Sequence, residues 1–537
     1  MPATVTFTRE VTAAGGVFAP GHLGELTQLV PFELVDEVLA ATKTVQRRLR
    51  DLPSRAGVYF LLALGLFAGL GYARVWGKLT AGLEGLPGLE LACPSEKALR
   101  DLRRRLGPAP LKALFEVLAG PLAWPYAPGV AFCGLRTVAF DGCSSLHVPD
   151  TARNRAWLGR IRHPNGFAGY PALRLLALAE TGTRGLLGAV IGAHTDGGET
   201  ALARRLLHLL HPGMLVLMDR AYDSGAFLAE VAGTGAHLLA RAAAVRSPDV
   251  LAVLPDGSYL SQISGLDVRI IEAHITVTGA DGSRCKDRYR LLTTLLDPRR
   301  YPATVLAQLY HERWEIESAY YALRHTLLHG HVLRSGDRPG LEQETWALLA
   351  LYQLLRMAMT DATATRPATD PDRASFTTAL QAARDQLTAA RGITPTGPTP
   401  PGAIGRAVLA SLLPPRRPRY SARKIKNARS RYPRHHDDPR PTLPAAITAI
   451  TITITTPTPG TRARTPGRRR RTPNRRSHRD RVTALMTTSP HRPWTARELA
   501  TKLHLPYRHL QTQLGAWART GLLTRTSPAT YALNTPP

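Results

Sequence analysis

Apolar residues recur at three- and four-residue spacings through the first part of the chain, which predicts helices over 32–49, 58–70, 95–105 and 111–118. Ser95 ahead of Glu96 and Lys97 suits an N-cap, and Pro110 suits the first turn of the next helix. Together they define an all-helical N-terminal domain over 18–120. At Gly134 the pattern changes to short β-branched runs broken by glycine. Strands are predicted at 135–140, ending directly in Asp141-Gly142, at 173–179 and at 188–193. A helix over 199–210 with Leu202, Leu206, Leu209 and Leu210 on its buried side leads through Pro212-Gly213 into the wholly apolar strand 214–218, which ends in Asp219-Arg220. A short strand at 237–240 follows. From 250 to 296 only strand-like alternation appears, at 258–262, 268–277 and 289–295, with turns at Asp256-Gly257 and Asp281-Gly282; this is a β-rich insertion.

The stretch 310–324, YHERWEIESAYYALR, contains no helix breaker and follows Pro298 and Pro302, so an α-helix is predicted. At helical period Tyr310, Arg313, Glu317 and Arg324 share a face bordered by Trp314 and Tyr321, with Glu312 and Glu315 turned to solvent. Amphipathic helices over 340–359 and 375–391 close an α/β domain spanning 134–391. The segment 392–480 is dominated by Pro, Thr and Arg, too proline-rich and charged to pack, and reads as a disordered basic linker with one β-prone run at 447–455. Order returns over 482–534. A helix at 496–503, a turn at 504–506, a helix at 507–519 and strands at 522–525 and 530–533 resemble a winged helix-turn-helix. In that arrangement Arg508, His509, Gln511, Thr512 and Gln513 face the major groove; a small helical cap fits the same spacing.

A length of 537 residues allows roughly three or four domains. The net charge of +29 calls for a polyanionic partner. Because the arginines sit in Pro-rich segments rather than beside a long apolar span, nucleic acid is favoured over a membrane surface. The most membrane-like run, 57–75, is closed by Arg74 and reads as a buried helix. Cys93, Cys133, Cys143 and Cys285 show no zinc spacing and suit a reducing compartment, and the N-terminus carries no secretory pattern. A cytoplasmic, nucleoid-associated protein is expected.

Two aspartates at strand ends and a glutamate on a distant helix form an acidic triad of hard oxygen ligands, the kind that suits Mg²⁺ or Mn²⁺. A pair of such ions, roughly 3.5–4 Å apart, activates a water or 3′-hydroxyl and stabilises the leaving oxygen of an in-line phosphoryl displacement. Asp141, Asp219 and Glu317 are the candidate catalytic residues and ligands. No protein nucleophile is needed. Arg220, Arg313 and Arg324 suit phosphate contacts and Tyr310 a hydrogen bond to the same strand, while Trp314 and Tyr321 either stack on a base or belong to the core. An i,i+4 surface pair is the plainer account of Arg313 and Glu317. Of the rival carboxylates, Asp150 has the residues for a turn brace through Thr151 and Asn154, and Asp223 follows Asp219.

Asp141-Gly142, Asp219-Arg220-Ala221-Tyr222 and Tyr310-x2-Arg313-x3-Glu317, with LPSRAGVYFLLALGLF and SEKALRDLRRRLGPAPLKALFEVLAGPLA upstream, resemble the DDE transposases of the insertion element four family. The resemblance spans about 18–360. It implies an α/β, ribonuclease-H-like mixed-sheet core whose β insertion precedes the glutamate helix. It also implies cut-and-paste movement of an insertion sequence by strand cleavage and strand transfer at terminal inverted repeats, on double-stranded DNA and as a homodimer. Two residues depart from the family pattern: Arg324 stands where lysine is usual, and Cys143 where threonine is common. The basic linker and C-terminal part lie outside the family core and read as an appended DNA-binding tail. The alternative is a catalytically inactive or domesticated DNA-binding protein.

Overall fold

The structure, a computed structural model, describes residues 17–48, 51–86, 89–159, 162–163, 166–167, 169–243, 246–279, 282, 284–393, 401–415, 447–457, 478–489, 492–505, 507–519 and 522–534. It forms two units, Met1–Ala463 and Arg464–Pro537.

In the first unit the N-terminal residues form the helices Phe32–Ala41, Ser54–Leu66, Tyr72–Thr80, Glu96–Leu106 and Ala109–Leu118. Ser95 accepts the Ala98 N–H as the predicted N-cap. The apolar helix Ser54–Leu66 is buried on nearly every side and packs on the long helix Arg338–Ala364. That explains an apolar run too short for a bilayer. Among the described residues no helix is long and apolar enough to cross a membrane.

The central sheet has eleven strands among the described residues. Its main strands are β1 (Leu135–His147), β2 (Ala172–Glu180), β3 (Leu186–Gly192), β4 (Met214–Met218), β5 (His237–Arg241), β6 (Tyr259–Ile263), β7 (Leu266–Gly279), β8 (Arg284–Thr293) and β9 (Ile447–Ile454). They run in the order β3-β2-β1-β4-β5-β8-β7-β6, with β9 also on β7. The β1–β4 and β4–β5 pairs are parallel and the others antiparallel. This large mixed sheet beside a helical N-terminal region is consistent with a ribonuclease-H-like core.

Both faces of the sheet are covered at β2, β3 and β4, so these strands are nearly continuously apolar, and the period-two alternation sorts residues between two cores. Ala139, Leu215, Leu217 and Leu239 face the N-terminal helices and the helical stretch 303–327. Val138, Phe140, Val216, Met218 and Leu238 face the helices Glu199–Arg204 and Gly225–Gly233.

The structure changes two sequence expectations here. The strand expected to stop at Asp141 continues to His147, because β2 keeps pairing with it after β4 has ended. Within the expected disordered linker, Ala403–Ala410 is a helix packed on the helices Arg338–Ala364 and Phe376–Thr388, and Ile447–Ile454 is β9. Ile452 and Ile454 reach the core, which gives that β-prone run a partner. Residues 416–446 and 458–477 of the linker lie outside the described residues. In the second unit the helices His478–Thr487, Ala496–Lys502 and Tyr507–Arg519 surround an antiparallel sheet of Trp494–Thr495, Thr530–Leu533 and Leu523–Ser527. Thr495 and Glu498 close a capping box at its second helix.

Candidate active site

Strand register places the two aspartates. Ala139 on β1 is level with Leu217 on β4, and Asp219 keeps extended backbone, so Asp141 and Asp219 stand level two residues further on. Their parity is that of Ala139 and Leu217, so both side chains leave the same sheet face, from strands roughly 4.8 Å apart. One oxygen of each carboxylate is engaged locally: Asp141 Oδ1 accepts from the Gly142 N–H at 2.9 Å and Asp219 Oδ1 from the Ala221 N–H at 2.6 Å. Each keeps a second oxygen for another partner. Asp223 is occupied elsewhere, accepting from Arg246 Nε at 2.9 Å, and Asp150 pairs with Arg155 at 3.0 Å beside the Thr151 N-cap.

Above this face runs the stretch carrying Glu317, and here the expected uniform α-helix is corrected. It is 3-10 over Tyr310–Trp314, α over Glu315–Tyr321 and π over Ala322–Leu327. Two tyrosines anchor it to the strands: the Tyr310 hydroxyl donates to the Met218 carbonyl at 3.1 Å, and the Tyr320 hydroxyl donates to the Asp141 carbonyl at 2.6 Å while accepting the Ala177 N–H at 3.1 Å. Glu317 lies between these anchors. Its carboxylate is 3.5 Å from Arg313, which is itself buried and stacked on Trp314 at 4.7 Å. Tyr310, an expected DNA contact, is buried here with its hydroxyl on the strand end. Glu312 and Glu315 are not turned to solvent either: Thr181 donates to Glu312, and Arg184 pairs with Glu315 and Asp372.

Burial pushes the Asp141 carboxyl up to about 6, and the negative charges of Asp219 and Glu199 add to it, against the pull of Arg313 and the Gly142 N–H. Glu199, missed by the sequence reading, is also raised, by burial first and then by Asp219. Tyr222, likewise missed, is fully buried between Phe140 and Phe227. Its hydroxyl has no hydrogen-bond partner among the described residues. Tyr222 had a signal in the Asp219-Arg220-Ala221-Tyr222 string, whereas Glu199 had none beyond its place at the start of a helix.

Part-buried carboxylates are hard oxygen donors of the type a divalent cation takes. Among the described residues, though, no three His, Cys, Asp or Glu side chains converge closely enough to hold an ion as they stand. The Arg313 contact of Glu317 is consistent with that spacing. Of the expected DNA contacts, Arg220 is exposed and Arg324 half-buried, neither in an ion pair among the described residues. Gln511 is exposed on its helix, and the Arg508 side chain lies outside the described residues. Cys143, in the place of the family threonine, is buried with its Sγ 3.5 Å from Ser145 Oγ.

Residues 20–116 match the family of the insertion element 4 transposase N-terminal domain, and residues 136–354 match the transposase DDE domain. The chain belongs to the insertion element 4 family of DDE transposases. This family member is 28% identical over 417 residues to "Transposase InsG for insertion sequence element IS4" of Escherichia coli (strain K12), covering 75% of this chain and 91% of that one. It is also 28% identical over 151 residues to "Putative transposase InsZ" of the same organism, over 27% of this chain and 48% of that one. The DDE match begins within β1 and ends within the helix Arg338–Ala364, so it takes in Asp141, Asp219 and Glu317.

Proposed function

We propose that this chain is a DNA transposase that moves an insertion sequence by cut-and-paste, cleaving strands at terminal inverted repeats and joining them to target DNA. The observation that carries the reading is the level placement of Asp141 and Asp219 on adjacent parallel strands, beneath a Glu317 segment fixed to both strands by Tyr310 and Tyr320. Asp141, Asp219 and Glu317 would hold two divalent cations, Mg²⁺ or Mn²⁺. When bound, such ions supply activation of the attacking oxygen and stabilisation of the leaving one. The two aspartates present the oxygens that Gly142 and Ala221 do not engage. Glu317, now beside Arg313, would complete the ligand set, and Arg313 would face the phosphate that the site receives.

Arg220 and Arg324 supply further phosphate contacts from outside the site, and Trp314 holds the Arg313 plane. The second unit acts as a winged helix-turn-helix on the element ends, with Tyr507–Arg519 as the recognition helix and Arg508 and Gln511 toward the bases; its helices and three-stranded sheet support this. The basic segments bind DNA without sequence preference, and a homodimer works on paired ends at the bacterial nucleoid. The test is nicking and joining of DNA carrying the inverted repeats that flank the gene, in Mg²⁺. Alanine at Asp141, Asp219 or Glu317 is expected to abolish nicking while end binding persists. Undiminished nicking in all three variants refutes the assignment, and binding without any nicking by the wild type leaves only a DNA-binding protein.

A further inference from the structure

One face of the β insertion changes character along its strands. Ile270 on β7 and Leu292 on β8 belong to the core covered by the helices Glu199–Arg204 and Gly225–Gly233. Further along the same face the cross-strand pairs are Glu272 with Arg290, His274 with Arg288, Thr276 with Lys286 and Thr278 with Arg284. The apolar cover has ended there: His274, Arg284, Lys286 and Arg288 are exposed, while Ala273, Ile275 and Tyr289 on the opposite face stay buried. A solvated sheet face ordinarily mixes charges of both signs. Here four cations stand in a row on β8 against one carboxylate on β7.

Ion pairing leaves most of that charge unmatched. Glu272 accepts from Arg288 at 2.7 Å and from Arg290 at 2.9 Å, so one carboxylate serves two guanidinium groups. Arg284 and Lys286 are in no ion pair among the described residues. Asp287, between Lys286 and Arg288 in the chain, belongs by parity to the opposite face and pairs with Arg241 at 3.2 Å. Like charges gathered on one sheet face repel, so the row does not serve to hold the strands together. Alternate residues of a strand stand ~6.8 Å apart, which is two steps of the ~3.4 Å phosphate rise along one DNA strand. A second feature widens the face. β9 sets Thr453 level with His274 and Thr451 level with Thr276. Because Ile452 and Ile454 turn to the core, both threonines are exposed, and β9 adds a row of hydroxyls to the cationic surface. In sequence β9 lies between the arginine-rich stretches 416–446 and 458–477.

We propose that the outward face of β8, β7 and β9 is a docking surface for the phosphate backbone of duplex DNA, independent of base sequence. Arg284, Lys286 and Arg288 neutralise phosphates, and Thr451 and Thr453 donate hydrogen bonds to phosphate oxygens. The surface lies on the sheet face opposite the Glu317 segment, so it is separate from that segment and from Arg313. This inference rests on the reading of the chain as a DNA transposase.

The test is binding of the full-length protein to a fluorescent DNA duplex without inverted repeats, in EDTA, over a series of KCl concentrations. Three double variants each lower the net charge by the same amount: Arg284→Gln with Lys286→Gln, Thr451→Glu with Thr453→Glu, and, at ion-paired arginines elsewhere, Arg55→Gln with Arg338→Gln. All these positions are exposed, so the melting temperature is expected to hold. In the first variant the slope of log Kd against log[KCl] should fall by about 1.8, at ~0.9 per lost phosphate contact, and binding at about 0.1 M KCl should weaken on the order of 10-fold or more. The second should weaken binding by a similar factor and the third by less than about 2-fold, since charges remote from the contact are screened. If either of the first two binds as the third does, the strand it probes is no part of the surface and the proposal falls, while the DNA reading stands. If the wild type itself binds no DNA, both readings fall.

Discussion

Replacing Asp141 by asparagine is expected to stabilise the metal-free protein while destroying its activity. The Asp141 carboxyl is raised from an ordinary 3.8 to about 6, chiefly by burial, then by Asp219 and Glu199. A raised carboxylate opposes folding once it ionises: between pH 3.8 and 6 the folded chain binds more protons at this group than the unfolded chain, so stability falls as pH rises through that window. At ~1.36 kcal/mol per pH unit the loss is about 1 kcal/mol at pH 4.5 and about 3 kcal/mol at pH 7.5. Asparagine avoids it and still accepts the Gly142 N–H through its amide oxygen. At ~2–4 °C per kcal/mol, the variant should melt higher than the wild type by several degrees, up to about 10 °C, at pH 7.5 in EDTA, and by much less at pH 4.5. Added Mn²⁺ should then raise the wild type and not the variant, because only the wild type gains binding energy in the folded state. Calorimetry of the full-length chain in the two buffers decides it. A variant that melts lower than the wild type at pH 7.5, or a gap that does not change with pH, refutes the assignment of the strain to this carboxylate.

Two further substitutions probe what holds the site in place. Tyr320→Phe removes a hydroxyl that serves both the Asp141 carbonyl and the Ala177 N–H; it should cost about 1–3 kcal/mol in thermal melts and lower nicking further than that loss of stability accounts for, and a melt within ~0.5 kcal/mol of the wild type contradicts the anchoring role. Arg269→Met in the β insertion breaks a fully buried guanidinium held by Asp256, Ser258 and the Tyr301 carbonyl; a loss of about 3–5 kcal/mol is expected, partly recovered by adding Asp256→Ala, and an additive double variant argues against the coupling.

The segment 303–327 carries Glu317 and both anchoring tyrosines. Its change from 3-10 to α to π winding sets the phase of each residue along it. A π turn holds more residues than an α turn, so the residues after Tyr321 rotate relative to an ideal helix. Arg324, assigned to the face of Glu317 at a uniform period, is therefore on a different winding from Glu317.

Local patterns in the chain were enough to find most elements and to single out two carboxylates of the candidate site. Alternating or continuous apolar runs marked β1, β4 and the insertion strands, and each aspartate follows its run immediately. Those features are encoded within a few residues, where side-chain period and turn chemistry act. Family motifs then tied Glu317 to the aspartates. What the sequence left open depends on contacts between residues far apart along it. The register of β1 on β4 puts Asp141 level with Asp219. The gap at Gly142 admits a carboxylate from 57 positions downstream. Arg184 turns Glu315 inward, and β7 offers an edge that gives Ile447–Ile454 its strand partner. Periodicity specifies which face of an element is apolar, but only packing determines what that face meets, because the partner comes from a distant part of the chain.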